Sequence, residues 1–151
     1  MAGQPGERGY DAGKKVLGRK RHLLVDTLGL ILKAVVHPAS IQDRVGAREV
    51  LEQAWSFRSL RRIFADGGYT GKLVGWTKSV FRRAVLEIVP KLGEGFQILP
   101  KRWIVERTFA WFLRFRRLSK DYEVKMPHSE AFIYIAATRL MLKRLAKSTT
   151  G

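Results

Sequence analysis

Two runs of β-forming residues, at 21–25 and 30–36, most tightly constrain what this chain can fold into. They are separated by the turn-forming segment Asp26-Thr27-Leu28-Gly29, and Pro38 follows the second run. Two short apolar runs joined by such a turn are typical of a β-hairpin. Because the strands of a hairpin are antiparallel, the sheet is predicted to begin with antiparallel pairing.

The rest of the chain alternates between strand and helix patterns. Asp43 is placed to cap a helix whose apolar residues, including Trp55, recur at helical spacing. The order β-β-α-β-α-β-α-α predicts an α/β fold in which the two later strands are parallel and carry functional groups at their carboxyl ends, as Asp66 does. The remaining predicted elements are strands at 60–65 and 85–89, helices at 71–80, at 103–118 and from Ser129 onward, and loops at 1–13 and 93–95.

Composition limits the chemistry and the partners of such a fold. The chain has 29 Lys and Arg against 13 Asp and Glu, a net charge of +16. The absence of cysteine excludes disulfides, thiol catalysis and Cys-ligated zinc. No apolar run approaches the roughly 20 residues of a membrane span, and the N-terminus has no signal-peptide pattern, so we expect a soluble, cytoplasmic protein.

The basic residues occur in clusters, several of them among aromatic residues. This combination favours a nucleic-acid partner over a merely solvated surface. The lack of RNA-binding motifs disfavours RNA, so we expect double-stranded DNA and association with the nucleoid when DNA is bound. The predicted DNA-binding residues are Lys14, Lys15, Arg19, Lys20, Arg21, Arg102, Arg107, Arg114, Arg116 and Arg117.

Two of the few acidic residues are candidates for chemistry. Asp66 follows an apolar run and precedes two glycines, which permit close approach to the backbone. The alternative for Asp66 is an ordinary Asp-Gly turn. Glu106 lies in the most apolar part of the 103–118 helix, where burying a carboxylate is costly unless it is paired or bound to metal. Arg102, one turn earlier, offers the alternative of a simple ion pair.

Asp66 and Glu106 supply the ligand type that Mg²⁺ prefers, with Mn²⁺ as a substitute. A pair of such ions activates a water or a hydroxyl for in-line attack on a phosphodiester and stabilises the leaving oxygen. The basic surface would hold the DNA. The sequence therefore predicts metal-dependent phosphodiester chemistry if the fold brings these two carboxylates together.

The segments around the two acids resemble signature regions of a known family. Phe64-Ala65-Asp66-Gly67-Gly68-Tyr69 and Arg102-Trp103-Ile104-Val105-Glu106-Arg107-Thr108-Phe109-Ala110-Trp111 are similar to the second and third regions of bacterial insertion-sequence transposases with a DDE catalytic triad. Further similar stretches lie at 18–29, 36–44 and 116–123. The resemblance implies an RNase H-like fold, with a mixed sheet and flanking helices, and a transposase multimer acting on element ends and target DNA.

The resemblance also implies roles for individual residues. Asp66 would be the second catalytic carboxylate and Glu106 the third, both as metal ligands, and Arg102 would begin the family's Arg-x-x-x-Glu element. The Tyr that usually precedes this element and the Lys that follows it fall on Leu99 and Leu113, so neither is present. Arg114, beside Leu113, is a candidate phosphate contact.

The family's first catalytic Asp has no counterpart, because the sequence begins just before the region that matches 9–15. We expect its strand to be absent too, which leaves a partial catalytic domain over 14–147 after a flexible segment at 1–13. Neither Asp11, in a Gly-rich loop, nor Asp26, in the hairpin turn, is expected to replace it. The predicted function is DNA transposition by a domain that is inactive alone; the alternative is a catalytically inactive DNA-binding remnant or inhibitor.

Overall fold

The first three strands form an antiparallel sheet in the order β1–β2–β3. The computed structural model describes residues 8–90 and 101–149. Strand β2 pairs with β3 along the whole predicted hairpin, which is thereby confirmed, and both strands are longer than the predicted runs. The strands are β1 (Gly9–Asp11), β2 (Val16–Val25) and β3 (Ile31–Pro38).

Asp26 closes the turn between β2 and β3. Its Oδ1 accepts hydrogen bonds from the N–H groups of Leu28 and Leu30, at 2.9 Å each. Gly29 adopts a φ of +80°, which favours glycine. The carboxylate of Asp26 therefore satisfies backbone donors of the turn, as expected for a residue in a hairpin turn.

Residues Gly9–Asp11 form a strand, whereas the sequence predicts a loop there. They pair with the start of β2. Asp11 Oδ1 accepts hydrogen bonds from the N–H groups of Gly13 and Lys14, at 2.9 and 3.1 Å. The bond from Lys14, aided by the ammonium of Lys20, lowers the pKa of Asp11. The glycine-rich composition conceals a short hairpin whose turn is capped by a side chain.

The fourth and fifth strands pair in parallel, as predicted. Strand β4 spans Arg62–Asp66, helix α2 spans Lys72–Val80, and strand β5 spans Val85–Val89. The strands are thus both antiparallel and parallel, as the predicted mixed sheet requires, and among the residues described they hydrogen-bond in two sheets, β1–β2–β3 and β4–β5. The α/β class, with helices flanking both kinds of strand pair, is confirmed.

Helix α1 spans Asp43–Gln53, and its N-cap is Gln42 instead of Asp43. Asp43 lies in the first turn, where its charge interacts favourably with the helix dipole. Trp55, predicted on the helix, lies in a short 3-10 turn after it and is 49% exposed. The helix ends too early to carry Trp55 into the core.

The predicted helix over 103–118 is divided into α3 (Arg102–Phe112) and α4 (Arg116–Ser119). Phe115, between them, has an extended backbone and packs against the core, and Leu118 is buried. The change of direction brings both apolar side chains into the core, and we attribute the break to that burial. The last helix, α5, spans Met126–Thr149 and begins before the predicted Ser129 cap.

Two hydrophobic cores position these elements. In the first, α5 and the end of α3 pack on the β2–β3 hairpin; in the second, α1 and α2 pack on β4 and β5. No helix in the described part of the chain is long and apolar enough to cross a membrane. The buried residues are Ile31, Ala34, Val36, Phe112, Leu118, Ile133, Ala136 and Ala137 in the first core, and Leu51, Ala54, Ile63, Leu73, Phe81, Ala84 and Leu86 in the second.

A buried histidine pair fills the space between the hairpin and α1. The rings of His22 and His37 stack with their centroids 4.5 Å apart. Gly46 of α1 lies directly against them, and a Cβ at that position would collide with His37 Nε2. Burial, with a further contribution from His37, lowers the pKa of His22 to about 4.

Replacing Gly46 by Ala should lower the free energy of unfolding by about 1–3 kcal/mol, the usual cost of an overpacked core. Urea unfolding measures this change. Gly75→Ala is the matched control, because a Cβ at Gly75 of α2 would meet no atom within 4 Å outside its own stretch of helix. It should be neutral or stabilising by up to about 1 kcal/mol. Equal effects of the two substitutions would contradict the close packing of α1 on the histidines.

The stability of the chain should depend on pH through His22. Its pKa in the folded chain, about 4, lies below the ordinary value of 6.5, so the unfolded chain binds more protons between these pH values. Stability should be full above pH 6.5 and fall as the pH drops toward 4, by roughly 3 kcal/mol from this group. Unfolding measured across this range should become less acid-sensitive in His22→Asn, and His128→Asn, at an exposed position, should leave the profile unchanged.

Candidate active site

A cavity of about 300 Å³ lies between the two sheets, bounded by β2, β4, α1 and α3. Asp66 and Glu106, which are far apart in the sequence, both line it. The fold therefore brings the two predicted carboxylates to one place. Asp66 comes from the carboxyl end of β4, the position expected for a functional residue of a parallel strand pair.

Asp66 caps the turn that follows β4. Its Oδ1 accepts a hydrogen bond from the N–H of Gly68 at 3.0 Å, which begins the 3-10 turn Gly67–Tyr69. The Asp-Gly turn considered as the alternative is thus present. Oδ2 of Asp66 accepts no hydrogen bond from the described residues. One oxygen of this half-buried carboxylate therefore orders the loop and the other is open to a ligand.

Glu106 is exposed, not buried as its apolar sequence context suggested. Its side chain is 63% exposed, and its Oε1 accepts a hydrogen bond from Arg102 Nε at 3.0 Å. The helical rotation places Glu106 on the exposed side of α3, while Thr108 and Phe112 turn inward. The ion pair with Arg102 is present, so burial supplies no reason for a metal at Glu106.

Positive charge surrounds the N-terminus of α3 beside the cavity. Lys101 caps the helix in a left-handed conformation with a φ of 70°, and its Nζ lies 3.7 Å from the centroid of the Phe64 ring. No acidic residue lies in the first turn. The positive end of the helix dipole adds to the charges of Lys101 and Arg102. The cavity thus has carboxylates for a cation and an adjacent positive region for an anion such as phosphate.

A hydrogen bond links β2 to the loop that carries Asp66. His22 Nδ1 and the Tyr69 hydroxyl lie 3.1 Å apart. Burial, with the negative charges of Asp43 and Asp66, raises the pKa of Tyr69. Tyr69 therefore stays protonated and holds the Asp66 loop against the hairpin. His22 and Lys101 were not among the predicted site residues, because their places depend on how the two sheets meet.

Of the described residues that line the cavity, Asp66 and Glu106 are the acidic ones. Among residues 8–90 and 101–149, no group of three or more His, Cys, Asp or Glu side chains is placed to hold a metal ion. Asp66 and Glu106 supply two carboxylates, and Mg²⁺ commonly takes only one or two carboxylate ligands from a protein. Asp11 and Asp26 lie in turns and do not line the cavity.

Three of the predicted DNA-binding residues are held by internal contacts. The side chain of Arg19 is 1% exposed and its Nη1 lies 3.0 Å from Asp121 Oδ2. Arg21 donates to the Leu118 carbonyl, and burial lowers its pKa. Lys20 lies 3.0 Å from Asp43 and 3.3 Å from Asp11; burial opposes the charged form, but these carboxylates raise its pKa overall.

The other predicted basic residues differ in whether their side chains are bound to other groups of the protein. Arg107 stacks on Trp103 and Trp111 and donates to the Leu28 carbonyl. Of the two leucines that stand where the resemblance expects a Tyr and a Lys, Leu99 lies outside the described residues and Leu113 is 63% exposed. Arg117 is exposed but paired with Glu123 at 2.6 Å, and Arg102 is exposed but paired with Glu106. Of the predicted set, Lys14, Lys15, Arg114 and Arg116 are exposed, and no acidic side chain within residues 8–90 and 101–149 pairs with them.

Comparisons with known proteins concern the chain as a whole. The family model described as "Transposase DDE domain" matches residues 1–142. A Burkholderia cepacia protein named "Putative transposase for insertion sequence element IS402" is 25% identical over 141 residues, which cover 87% of this chain and 66% of that protein. The chain thus spans just under two thirds of this relative. No solved structure gives a significant match. The extent of the family match shows that the chain belongs to the transposase DDE domain family.

Proposed function

We propose that the chain acts in DNA transposition as the catalytic part of a DDE transposase of an insertion sequence. The observation that carries this proposal is the position of Asp66 and Glu106, which are 40 residues apart in the sequence and line one cavity. The family resemblance implies that these two residues are its second and third carboxylates. The antiparallel hairpin followed by a parallel strand pair supports an RNase H-like fold.

In this proposal, Asp66 and Glu106 hold Mg²⁺, with Mn²⁺ as a substitute. The open Oδ2 of Asp66 and the exposed carboxylate of Glu106 are the ligands. When bound, the ion lowers the pKa of an attacking water or hydroxyl and polarises a phosphodiester. Arg102 must then share Glu106 with the metal, or turn toward a phosphate. It is therefore a neighbour of the site that balances the charge of Glu106.

The basic residues supply the DNA contact. Lys101 and Arg102 place positive charge at the N-terminus of α3, next to the two carboxylates. Lys14, Lys15, Arg114 and Arg116 are exposed, so their charges can reach phosphates. Arg19, Lys20, Arg21 and Arg107 contribute through the fold, because their side chains are engaged inside it. Double-stranded DNA in the cytoplasm, and a multimer of transposase chains on it, complete the proposal.

A second candidate function follows from the ligand count. Within the described residues, the cavity has two carboxylates, and a second metal ion would lack a ligand to bridge or order it. This observation favours a chain that binds DNA without cutting it alone. Such a chain would act as an inhibitor by joining an active transposase on DNA. Loss of the ligand that orders the metals misplaces the attacking oxygen, which costs on the order of 10²-fold in rate.

DNA binding should be weakly sequence-dependent and steeply salt-dependent, since phosphate contacts release counterions. The double variant Arg114→Gln/Arg116→Gln should reduce the slope of log K against log salt by about 2. Fluorescence anisotropy over a salt series measures both. Lys78→Gln/Arg82→Gln removes the same charge from exposed positions outside the predicted set and should reduce the slope less. An affinity that is insensitive to salt would rule out the electrostatic account.

The 151-residue chain should not nick or join DNA that carries the element's ends, with either Mg²⁺ or Mn²⁺. Activity should return when an upstream segment that carries an aspartate is fused to it, and Asp66→Ala should abolish the restored activity. Gel assays of supercoiled and linear substrates measure both steps. The fusion carrying Glu52→Ala is the control: Glu52 is exposed and does not line the cavity, so this variant should retain cleavage.

The opposite result is equally informative. Robust cleavage by the chain alone, lost in Asp66→Ala, would mean that another acid completes the site. It would exclude the non-cutting candidate. Inactivity of the fusion, with DNA binding intact, would exclude the catalytic proposal.

A further inference from the structure

The cavity lies between the edges of two strands. Four consecutive residues of β2, at 21–24, and four of β4, at 63–66, line it. Successive side chains of a strand point to opposite faces, so a cavity over one face would be lined by alternate residues. Contact with consecutive residues places the cavity in line with both strands. It therefore separates the two sheets edge to edge.

The hydrogen bonds of β3 show which groups of β2 face this gap. The N–H groups of Ala34 and Val36 donate to the Tyr134 hydroxyl and the Glu130 carboxylate of α5, so they point away from β2. Leu23 lies opposite Ala34, and Arg21 lies opposite Val36. In an antiparallel pair, residues that do not bond each other both direct their backbone groups outward. The N–H and C=O groups of Arg21 and Leu23 therefore point to the outer edge of β2.

Within residues 8–90 and 101–149, the outer edges of β2 and β4 face the gap without a strand partner. In these same residues β1 covers only the first three residues of β2, and β4 pairs only with β5. Unpaired strand edges bind other extended segments readily. The gap thus offers backbone hydrogen bonds on both of its sides.

The two faces of the gap are covered by helices. His22 lies against α1 at Gly46, whereas Leu23 packs in the first core with Phe112 of α3. Because His22 and Leu23 are neighbours in a strand, α1 and α3 lie on opposite faces. Leu51 of α1 and Phe109 of α3 both line the gap. A strand placed there is covered on both faces, which favours a continuous apolar sequence.

We propose that this gap is a docking slot for an extended, apolar β-strand supplied by a separate transposase polypeptide. The strand would bond the outward groups of β2 on one side and the free edge of β4 on the other. Its side chains would pack between α1 and α3. The slot rests on the geometry alone, whereas the identity of the partner as a transposase rests on the proposed function.

Strand pairing and chain length favour such a partner over a second copy of this chain. The described strands of a second copy are already paired within its own two sheets. The IS402 relative extends well beyond the matched region, since this chain spans 66% of it. A longer transposase chain therefore has further segments from which to supply the strand.

Amide hydrogen exchange, followed by NMR on the full chain, tests the slot directly. In the chain alone, the amides of Arg21 and Leu23 should exchange faster than those of His22 and Leu24, which face β3. The probe is the peptide Lys-Val-Ile-Val-Ile-Val-Lys. At ten times its Kd, it should slow exchange at Arg21 and Leu23 by about tenfold. The same peptide with alternate amides N-methylated has the same apolar side chains but cannot bond one edge, and should give no such protection.

Three results would overturn the proposal. Absence of protection by the peptide would exclude strand docking. Strong protection of Arg21 and Leu23 in the monomeric chain alone would mean that the chain fills its own slot. Protection that appears with dimer formation, measured by light scattering, would assign the slot to a second copy. No arm of this experiment depends on DNA cleavage, so its outcome and that of the proposed function are separable.

Discussion

The alternating direction of the backbone groups along β2 is the constraint on which the rest of the structure depends. One set of N–H and C=O groups bonds β3, and the other set points into the gap between the sheets. Buried backbone groups must find partners, so the two edges of the hairpin need different solutions. At β3 the solution is α5, whose Tyr134 and Glu130 bond the outward groups. At β2 the short β1 pairs with the first three residues, and the outward groups farther along the strand face the gap.

The same gap determines the geometry of the candidate site. Asp66 ends β4, while Glu106 lies on α3, which contacts both β2 and β4. The separation of the two carboxylates therefore depends on how far apart the sheets are held. The bond between His22 and Tyr69 and the packing of α1 across the hairpin set that distance from the other side. A change in the width of the gap would therefore change the distance between the two carboxylates, even if neither residue were replaced.

The features that the sequence predicts well are those set by neighbouring residues. The hairpin follows from two β-forming runs and a turn closed by Asp26, and the β4–α2–β5 unit follows from apolar runs bounded by glycine and proline. Two features were missed. The strand at Gly9–Asp11 is concealed by its glycine-rich composition, although it pairs with the nearby start of β2. The break between α3 and α4 depends on burying Phe115 and Leu118 in a core to which the distant α5 contributes.

The candidate site shows the same division. The position of Asp66 could be predicted because the end of a parallel strand is visible in the sequence. The exposure of Glu106 could not, because the helix buries only Thr108 and Phe112 of this apolar segment, and their choice depends on how α3 packs on the rest of the fold. Charge was informative about the partner class but not about single residues: Arg19 and Arg21 bind carbonyls and a carboxylate inside the fold. A basic residue in the sequence counts toward the net charge whether or not it can reach a phosphate.

The cover that α5 places on β3 has a consequence for assembly. A strand seated between β2 and β4 would have both of its own edges occupied, and the far side of the hairpin is already closed by Tyr134 and Glu130. No new edge would be created on this side of the molecule, so the next chain would find nothing to add to. Strand docking at the gap would therefore give a discrete one-to-one complex, not a growing fibre, and the amount of complex would saturate once every copy of this chain holds one strand.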